Sequence, residues 1–414
     1  MLWSSRKPEP VHDRSRVIGL ELTSSRARAV SVGGGKVRPV VLEEPSEDLP
    51  LFIACERRTA DVGHAAYSLI RRMPHAVGSN FLPAVAQPRE IRAGRYSFSP
   101  DACLDLVFAK LRPPIAAESD SVALAVPAYL APNQVTRVVE LAVRAKLPIK
   151  GTASAPLAVA AHRAAIVLAG KPPASLDKPP PSGWVVPLRP AANGPAAVII
   201  IDADEFALSA AAVMIERDAA KLVGAPACWP RVAVKAWKDR LLDAVSDRCV
   251  RLCRRDPRDS AEAEQSLFEQ LDEALDRSRA GQRVNLTVRT AHWYQDLVLQ
   301  PDELEAYCSA LAQSGAEAIR ELIASQPAPP RAIWLTHSAG RLPGLGLAIH
   351  QSSPEGTSVE VLPPGAVAHA AAALVPRWLG GDLPRIHLDT LIPYSPIASR
   401  EAKSESPRSP SALG

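Results

Sequence analysis

The stretch VALAVPAYLAPNQVTRVVELAVRAKLPI, residues 122–149, carries the strongest fold signal in the chain. The apolar run SVALAV at 121–126 predicts a buried strand, which Pro127 ends. The residues that follow predict a helix over 132–146, because apolar side chains recur there with a period of 3.6: Val135, Val138, Val139, Ala142 and Val143. A buried strand that leads into an amphipathic helix is typical of an α/β protein.

The segments outside this stretch repeat one order of elements. Short strands at 17–22, 28–32 and 36–42, the last two joined by a Gly-Gly-Gly turn, predict an antiparallel meander. Pro156 lies in the first turn of a helix that runs toward Gly170. After residue 196 a strand at 196–201 and its hairpin partner at 207–215 begin the order again.

The remaining periodic segments alternate between helices and strands. We predict helices at 232–254, 260–279, 301–325 and 365–375, and strands at 284–288, 332–335 and 359–362. The sequence therefore predicts a mixed α/β protein with two similar lobes.

Composition excludes several classes of protein. The 414 residues are 47% hydrophobic and 22% charged, which allows sizeable cores. Forty prolines are about twice the usual ~5%, but with 22 glycines they do not reach the level of a disordered or collagen-like chain. The net charge of +4, without Lys/Arg runs, argues against nucleic acid and membrane surfaces as partners. Neither an apolar run long enough to span a membrane nor a signal peptide is evident, so we expect a cytoplasmic protein.

Six segments resemble, in order, the nucleotide-binding domain of the DnaK-type (seventy-kilodalton heat-shock) chaperones, which have the actin-like ATPase fold. Residues 19–25, GLELTSS, are similar to the family's GIDLGTT, and 122–149 to the stretch that contains its Val-Pro-Ala-Tyr. Residues 155–158 are similar to the family's Glu-Pro-Thr-Ala, and residues 200–202 to the start of its second phosphate hairpin. Residues 335–343 are similar to its adenosine motif, and residues 365–372 to the helix after that motif.

The resemblance implies a fold and a domain plan. It implies two lobes of ribonuclease-H-like topology, each with a mixed sheet flanked by helices, around a cleft that holds ATP or ADP and Mg²⁺ in active members. Lobe I would span 16–195, with a Pro-rich insertion at 171–195, and lobe II would span 196–386. Residues 1–15 would be a flexible arm. Residues 387–414 would be a remnant of the interdomain linker and a disordered tail, with no substrate-binding domain.

The resemblance also implies a set of site residues. Glu21 and Asp202 fall on carboxylates that act at the metal, so they are the candidate catalytic and metal-binding residues. The candidate nucleotide-binding residues fall on the phosphate hairpins and the adenosine loop: Thr23, Ser24, Ser25, Asp204, Glu205, His337, Ser338, Ala339, Gly340 and Arg341.

The chain departs from the family at these positions. Thr23 replaces a glycine, and Asp204 and Glu205 replace the glycine cradle of the second hairpin, where added carboxylates would repel phosphate. Leu82 falls on the catalytic lysine and Ala155 on a metal-linked glutamate. The adenosine loop has His337 and Ser338 in place of paired glycines, and Arg341 is kept.

These departures favour one function and leave two alternatives. We expect a DnaK-like pseudo-ATPase, a nucleotide-binding body kept for binding or scaffolding, with co-chaperone-like factors or other proteins as partners. A slow working ATPase that uses Glu21, Asp202 and Asp204 for Mg²⁺ is the first alternative. Another actin-fold assembly protein or a sugar kinase is the second. The candidate site residues also have interpretations without a catalytic or binding role. Thr23, Ser24 and Ser25 would be ordinary turn residues, and residues 202–205 would form a solvated acidic turn. Arg341 would be a surface residue, and His337 would be structural.

Overall fold

The computed structural model describes residues 16–55, 59–168, 195–290 and 292–394, which form a mixed α/β structure. The predicted arm at 1–15, residues 171–194 of the Pro-rich insertion and the tail at 395–414 lie outside the described residues. We call residues 16–168 the first half and residues 195–394 the second half.

The strands of the described residues are mostly short. They are β1 (Val17–Leu22), β2 (Arg26–Gly33), β3 (Lys36–Val40), β4 (Asp48–Pro50), β5 (Ile53–Ala54), β6 (Asp61–Val62), β7 (Val77–Gly78), β8 (Ile91–Ala93), β9 (Tyr96–Phe98), β10 (Val122–Val126), β11 (Ile149–Ser154), β12 (Ala196–Ala203), β13 (Leu208–Ile215), β14 (Ala219–Trp229), β15 (Val284–Arg289), β16 (Tyr294–Leu299), β17 (Ala332–Leu335), β18 (Ser358–Val361), β19 (His387–Leu388) and β20 (Leu391–Pro393).

The helices of the described residues include four of 19 residues or more. They are α1 (His64–Tyr67), α2 (Pro100–Glu118), α3 (Pro132–Arg144), α4 (Ala155–Leu168), α5 (Val234–Cys253), α6 (Ala261–Arg279), α7 (Pro301–Ala324), α8 (His337–Gly340), α9 (Leu345–Ser352), α10 (Ala366–Ala372) and α11 (Val375–Leu379).

The two large sheets have the same strand order around a central strand. In the first sheet β1 pairs antiparallel with β2, β2 with β3, and on the other side β1 pairs parallel with β10 and β10 with β11. In the second sheet β12, β13 and β14 form the antiparallel side, and β17 and β18 form the parallel side. The described residues therefore form a mixed α/β structure, as expected from the sequence, with two large mixed sheets of the same strand order.

The C-terminal strands join both sheets. β19 adds to the first sheet beside β11, and β20 adds to the second sheet beside β14. The segment 387–393, which the sequence suggested was a linker remnant, therefore forms edge strands on both halves.

Alternating side chains of each sheet enter different cores. On β1, Ile18 and Leu20 pack against α2 and α3, whereas Gly19 lies against α10. On β12, Ile199 and Ile201 pack against α5, α6 and α7. Side chains from the inner faces of both sheets share a third core with α4 and α10. This shared layer of helices fixes the position of one sheet relative to the other.

Most predicted elements are found within a few residues of their predicted ends. β1 and β17 have the bounds expected from the sequence, and α5, α6 and α7 differ from theirs by one or two residues. The sequence analysis did not predict α2 or β14. Within the described ranges, the helices are too short or too polar to cross a bilayer.

Candidate functional site

The turns that follow β1 and β12 meet at the boundary between the halves. The Ser24 N–H donates to Asp204 Oδ2 at 2.9 Å. In the other direction the Glu205 N–H donates to Ser25 Oγ at 2.7 Å, and the Phe206 N–H donates to Ser24 Oγ at 2.9 Å. We call this set of hydrogen bonds the turn contact. It joins residues about 180 positions apart directly, with side chains and backbone of the chain itself.

Each turn is built by a polar side chain that binds its own backbone. The Thr23 hydroxyl donates to Arg26 O at 3.0 Å and accepts the Arg26 N–H at 3.1 Å. In the second turn Asp204 Oδ1 accepts the N–H groups of Phe206 and Ala207 at 2.9 and 3.0 Å. Side chains of this kind stabilise tight turns without glycine, so neither hairpin requires one.

Asp204 is the best-connected residue of the turn contact. It is only 2% exposed. Oδ2 also accepts the Tyr129 hydroxyl at 2.6 Å, so each carboxylate oxygen accepts two hydrogen bonds. Burial and the nearby Asp204 raise the pKa of Tyr129 well above its ordinary value, which keeps the proton on its hydroxyl. The solvated acidic turn considered from the sequence is wrong, because Asp204 and Glu205 are both buried.

The candidate catalytic residues Glu21 and Asp202 lie near the turn contact, one on each central strand. Burial raises the pKa of Asp202 to about 7, and the Glu21 carboxylate adds to the shift. The Thr336 hydroxyl donates to Asp202 Oδ1 at 2.5 Å. Burial also raises the pKa of Glu21, against the opposing effect of Arg26 and Arg28. The two carboxyl groups therefore share a poorly hydrated space with guanidinium groups beside them.

Arginine supplies the positive charge beside these two carboxyl groups. Burial alone would lower the pKa of Arg26, but acidic neighbours outweigh burial and raise it: Asp48, Glu21, Asp272 and Asp202. Among the residues that the structure describes, no group of three His, Cys, Asp or Glu side chains is placed to bind a metal ion. Arg26 therefore provides counter-charge for Glu21 and Asp202.

The loop after β17 holds the residues assigned to adenosine. His337 Nε2 lies 3.1 Å from Asp276 Oδ1. Burial lowers the pKa of His337 to about 4 although Asp276 opposes the shift, so at neutral pH the uncharged ring donates this hydrogen bond. The Ser338 hydroxyl accepts from Arg26 Nη2 at 2.9 Å, a second link between the halves. Sequence reasoning found no partner for His337; the structure supplies Asp276.

The rest of that loop is packed rather than open. Ala339 is fully buried, and a Cβ on Gly340 would lie 2.0 Å from Val361, so no side chain fits there. Arg341 is 7% exposed, and its Nη2 donates to Asp272 Oδ1 at 2.6 Å. The interpretation of Arg341 as a surface residue is therefore wrong, because its guanidinium forms an ion pair inside the second half.

A second contact between the halves lies around Asp272. The Tyr67 hydroxyl of the first half donates to Asp272 Oδ2 at 2.9 Å, and Lys238 Nζ donates to the same oxygen at 2.8 Å. Lys238 also lies 3.7 Å from Glu205. Burial acts to raise the pKa of Asp272, but Lys238 and Arg341 outweigh it and hold that pKa well below its usual range. Asp272 therefore stays ionised as the shared partner of two buried cations.

Arg71 extends this contact onto α5 and α6. Its guanidinium pairs with Asp239 and, at 3.5 Å, with Glu264. Its carbon Cζ lies 4.6 Å from the centroid of the Phe268 ring. Its backbone N–H donates to Gln265 Oε1 at 2.7 Å. We call the contacts of Tyr67 and Arg71 with α5 and α6 the outer contact.

Little space remains in the cleft between the halves. One cavity, lined by Pro127, Asp202 and Thr336 among others, has a volume of about 10 Å³. A second, beside Glu21 and His337, is also about 10 Å³. A volume of ~10–15 Å³ holds roughly one water molecule. Each of these two cavities therefore has room for about one water molecule.

The structure gathers the predicted site residues into one region. Thr23, Ser24, Ser25, Asp204 and Glu205 form or flank the turn contact, and the loop at 337–341 reaches the first half through Ser338, which accepts from Arg26. Leu82, at the lysine position, is fully buried in the first core, and Ala155 lines the first cavity. Neither residue supplies a functional group to the cleft.

Several residues of the site were missed by sequence reasoning. Arg26, Tyr67, Lys238 and Asp272 all bind across or beside the cleft. Their partners are as many as 312 positions away, so local periodicity carries no signal for them. The one available sign was a lysine on the apolar side of α5, where Lys238 is 3% exposed and must have a partner.

Comparison of the chain with protein-family models and with curated proteins finds no match in either.

Proposed function

We propose that this chain is a DnaK-like nucleotide-binding body that serves as a pseudo-ATPase, a binding or scaffolding module with weak or no ATP hydrolysis. The finer fold assignment, two ribonuclease-H-like lobes of the actin-like ATPase fold, is part of the proposal. It is supported by the strand order shared by the two sheets and by the six ordered sequence segments. Co-chaperone-like or other protein partners stay a prediction.

One observation carries the functional part of the proposal. The two turns that would embrace the phosphates are hydrogen-bonded to each other through Ser24, Ser25 and Asp204. A triphosphate needs backbone N–H groups that point into open space and a metal that neutralises its oxygens. Here the Ser24 and Phe206 N–H groups bind the chain itself, and the Glu21 carboxylate near them lies beside Arg26 and Arg28.

A nucleotide titration tests the proposal. We expect no ATP or ADP binding at tens of micromolar by isothermal titration calorimetry, with or without Mg²⁺, and no phosphate release above the uncatalysed rate. Asp202→Asn serves as the matched variant, since a working ATPase of the alternative kind would lose Mg²⁺-dependent turnover in it. Saturable Mg²⁺-dependent turnover in the unaltered chain that Asp202→Asn abolishes would replace the pseudo-ATPase with that alternative.

A further inference from the structure

The Asp204 carboxylate is bound as proteins bind a free oxyanion. Four donors surround its two oxygens: the backbone N–H groups of Ser24, Phe206 and Ala207, and the Tyr129 hydroxyl. All four donors are uncharged, and their distances to the oxygens are between 2.6 and 3.0 Å. Concave sets of backbone N–H groups in turns are a common way of holding carboxylate and phosphate oxygens.

These donors come from three separate segments. Tyr129 precedes α3, Ser24 lies in the first turn and Ala207 in the second, so two segments of the first half and one of the second converge on one carboxylate. The Thr23 hydroxyl accepts the N–H groups of Ser25 and Arg26, which fixes the first turn without Asp204. We therefore expect the first-half donors to keep their positions when the carboxylate is removed.

We propose that these donors form an oxyanion site whose resident ligand is the chain's own Asp204, a tethered autoinhibitory carboxylate. The ligand class is a small oxyanion, either a carboxylate or a phosphate. A tethered group competes at a very high effective concentration, so free oxyanions are excluded from the unaltered protein. The Phe206 N–H keeps Ser24 Oγ as an acceptor when the Asp204 side chain is removed, but the N–H groups of Ser24 and Ala207 and the Tyr129 hydroxyl lose theirs. Buried donors without acceptors are costly, which favours binding of a replacement from solution.

The inference shares one assumption with the proposed function, namely that the turn contact is closed in the native state. Its test uses no nucleotide. Binding of ATP by the unaltered chain would end the pseudo-ATPase proposal without deciding the oxyanion site, and a negative oxyanion result would leave the nucleotide titration as it stands.

The experiment measures thermal unfolding midpoints of the full chain in sodium formate, sodium acetate and sodium phosphate against sodium chloride of equal ionic strength. Asp204→Ala leaves a hole the size of a carboxylate, which formate fits, and Asp204→Gly leaves one that acetate fits. Asp218→Ala is the matched control, because Asp218 is exposed in the turn between β13 and β14. We expect Asp204→Ala to unfold several degrees below the unaltered chain and formate to restore the midpoint saturably.

The outcomes separate a bound ion from a general salt effect. A saturable rise confined to the Asp204 variants, with any of the three oxyanions, supports the site. Equal shifts in the Asp204 variants, Asp218→Ala and the unaltered chain overturn it. If Asp204→Ala does not fold in any of the salts, Asp204→Gly in acetate decides by the same criterion. Folding that acetate restores saturably, and chloride does not, supports the proposal, and no restoration in acetate overturns it.

Discussion

The outer contact offers a sharp test of whether the halves are held closed by the chain itself. Arg71→Ala removes two ion pairs and the contact with the Phe268 ring but keeps the backbone N–H that donates to Gln265. Arg72, the next residue, is exposed and provides the matched control, Arg72→Ala. Both variants lose the same functional group, so their difference measures the contacts of Arg71.

The expected magnitude follows from those contacts. The Arg71, Asp239 and Glu264 side chains are between 20% and 34% exposed, so the two ion pairs together contribute about 1 kcal/mol. The cation–π contact adds about 0.5–1 kcal/mol, and the buried methylenes of the arginine stem about 1 kcal/mol. A total of about 2.5 kcal/mol corresponds to a population with the outer contact open that is roughly 60-fold larger.

Hydrogen exchange measures this population directly. The N–H of residue 71 donates to Gln265 across the boundary, so it exchanges when the outer contact opens. We expect its exchange rate to rise by about 60-fold in Arg71→Ala and to change less than about threefold in Arg72→Ala. Equal rates in the two variants would refute the account, because they would show that the side chain of Arg71 does not hold the halves together.

Two further predictions concern stability. The His162 and His369 rings pack with their centroids 4.7 Å apart, and chiefly burial lowers the pKa of His162 to about 4 and that of His369 below its ordinary value. In the unfolded chain these histidines titrate near pH ~6.5, so their protonation does not lower the free energy of unfolding above that pH. On acidification toward pH ~4 the free energy of unfolding falls by up to ~1.4 kcal/mol per pH unit for each histidine. Urea unfolding at neutral pH and at about pH 5 measures this fall in the free energy of unfolding. We expect a smaller fall in His162→Gln than in the unaltered chain, and an equal fall in both would contradict the prediction. Gly19→Ala would place a Cβ 1.7 Å from the Ala368 carbonyl oxygen, so we expect a loss of about 3 kcal/mol or more, whereas Gly346→Ala meets no atom within 4 Å and should be neutral or stabilising. Similar urea midpoints for the two alanine variants would contradict the close packing of β1 on α10.

The regular elements were predictable because their signals are local. The strand β1 and the helix α3 have side-chain periods that a short window contains, and each periodic face enters one core. β14 has no such pattern, since AAKLVGAPACW includes a glycine and a proline and most of its residues are partly exposed. α2 contains Pro113 and Pro114, which locally argue against a helix, and its buried face outweighs them.

The position of the candidate site was predictable, and its internal contacts were not. Residues of both hairpins and of the loop at 336–341 do lie together at the boundary between the halves. The pairs that fix them, such as Tyr67 with Asp272, join positions 205 apart in the chain. Only the three-dimensional arrangement of the two sheets brings such residues within hydrogen-bond distance.

The absence of glycine from the two turns and the closure of the turn contact have one physical origin. A glycine turn exposes N–H groups and has no side chain to occupy the space in front of them, so a ligand takes that space. Thr23 and Asp204 supply oxygen atoms that accept those same kinds of N–H groups within their own turns. Asp204 then reaches the Ser24 N–H of the other half with its second oxygen. The side chains that fill these turns thus provide the acceptors for the N–H groups of the turns. The strands have periodic patterns because their side chains face the cores rather than the turns.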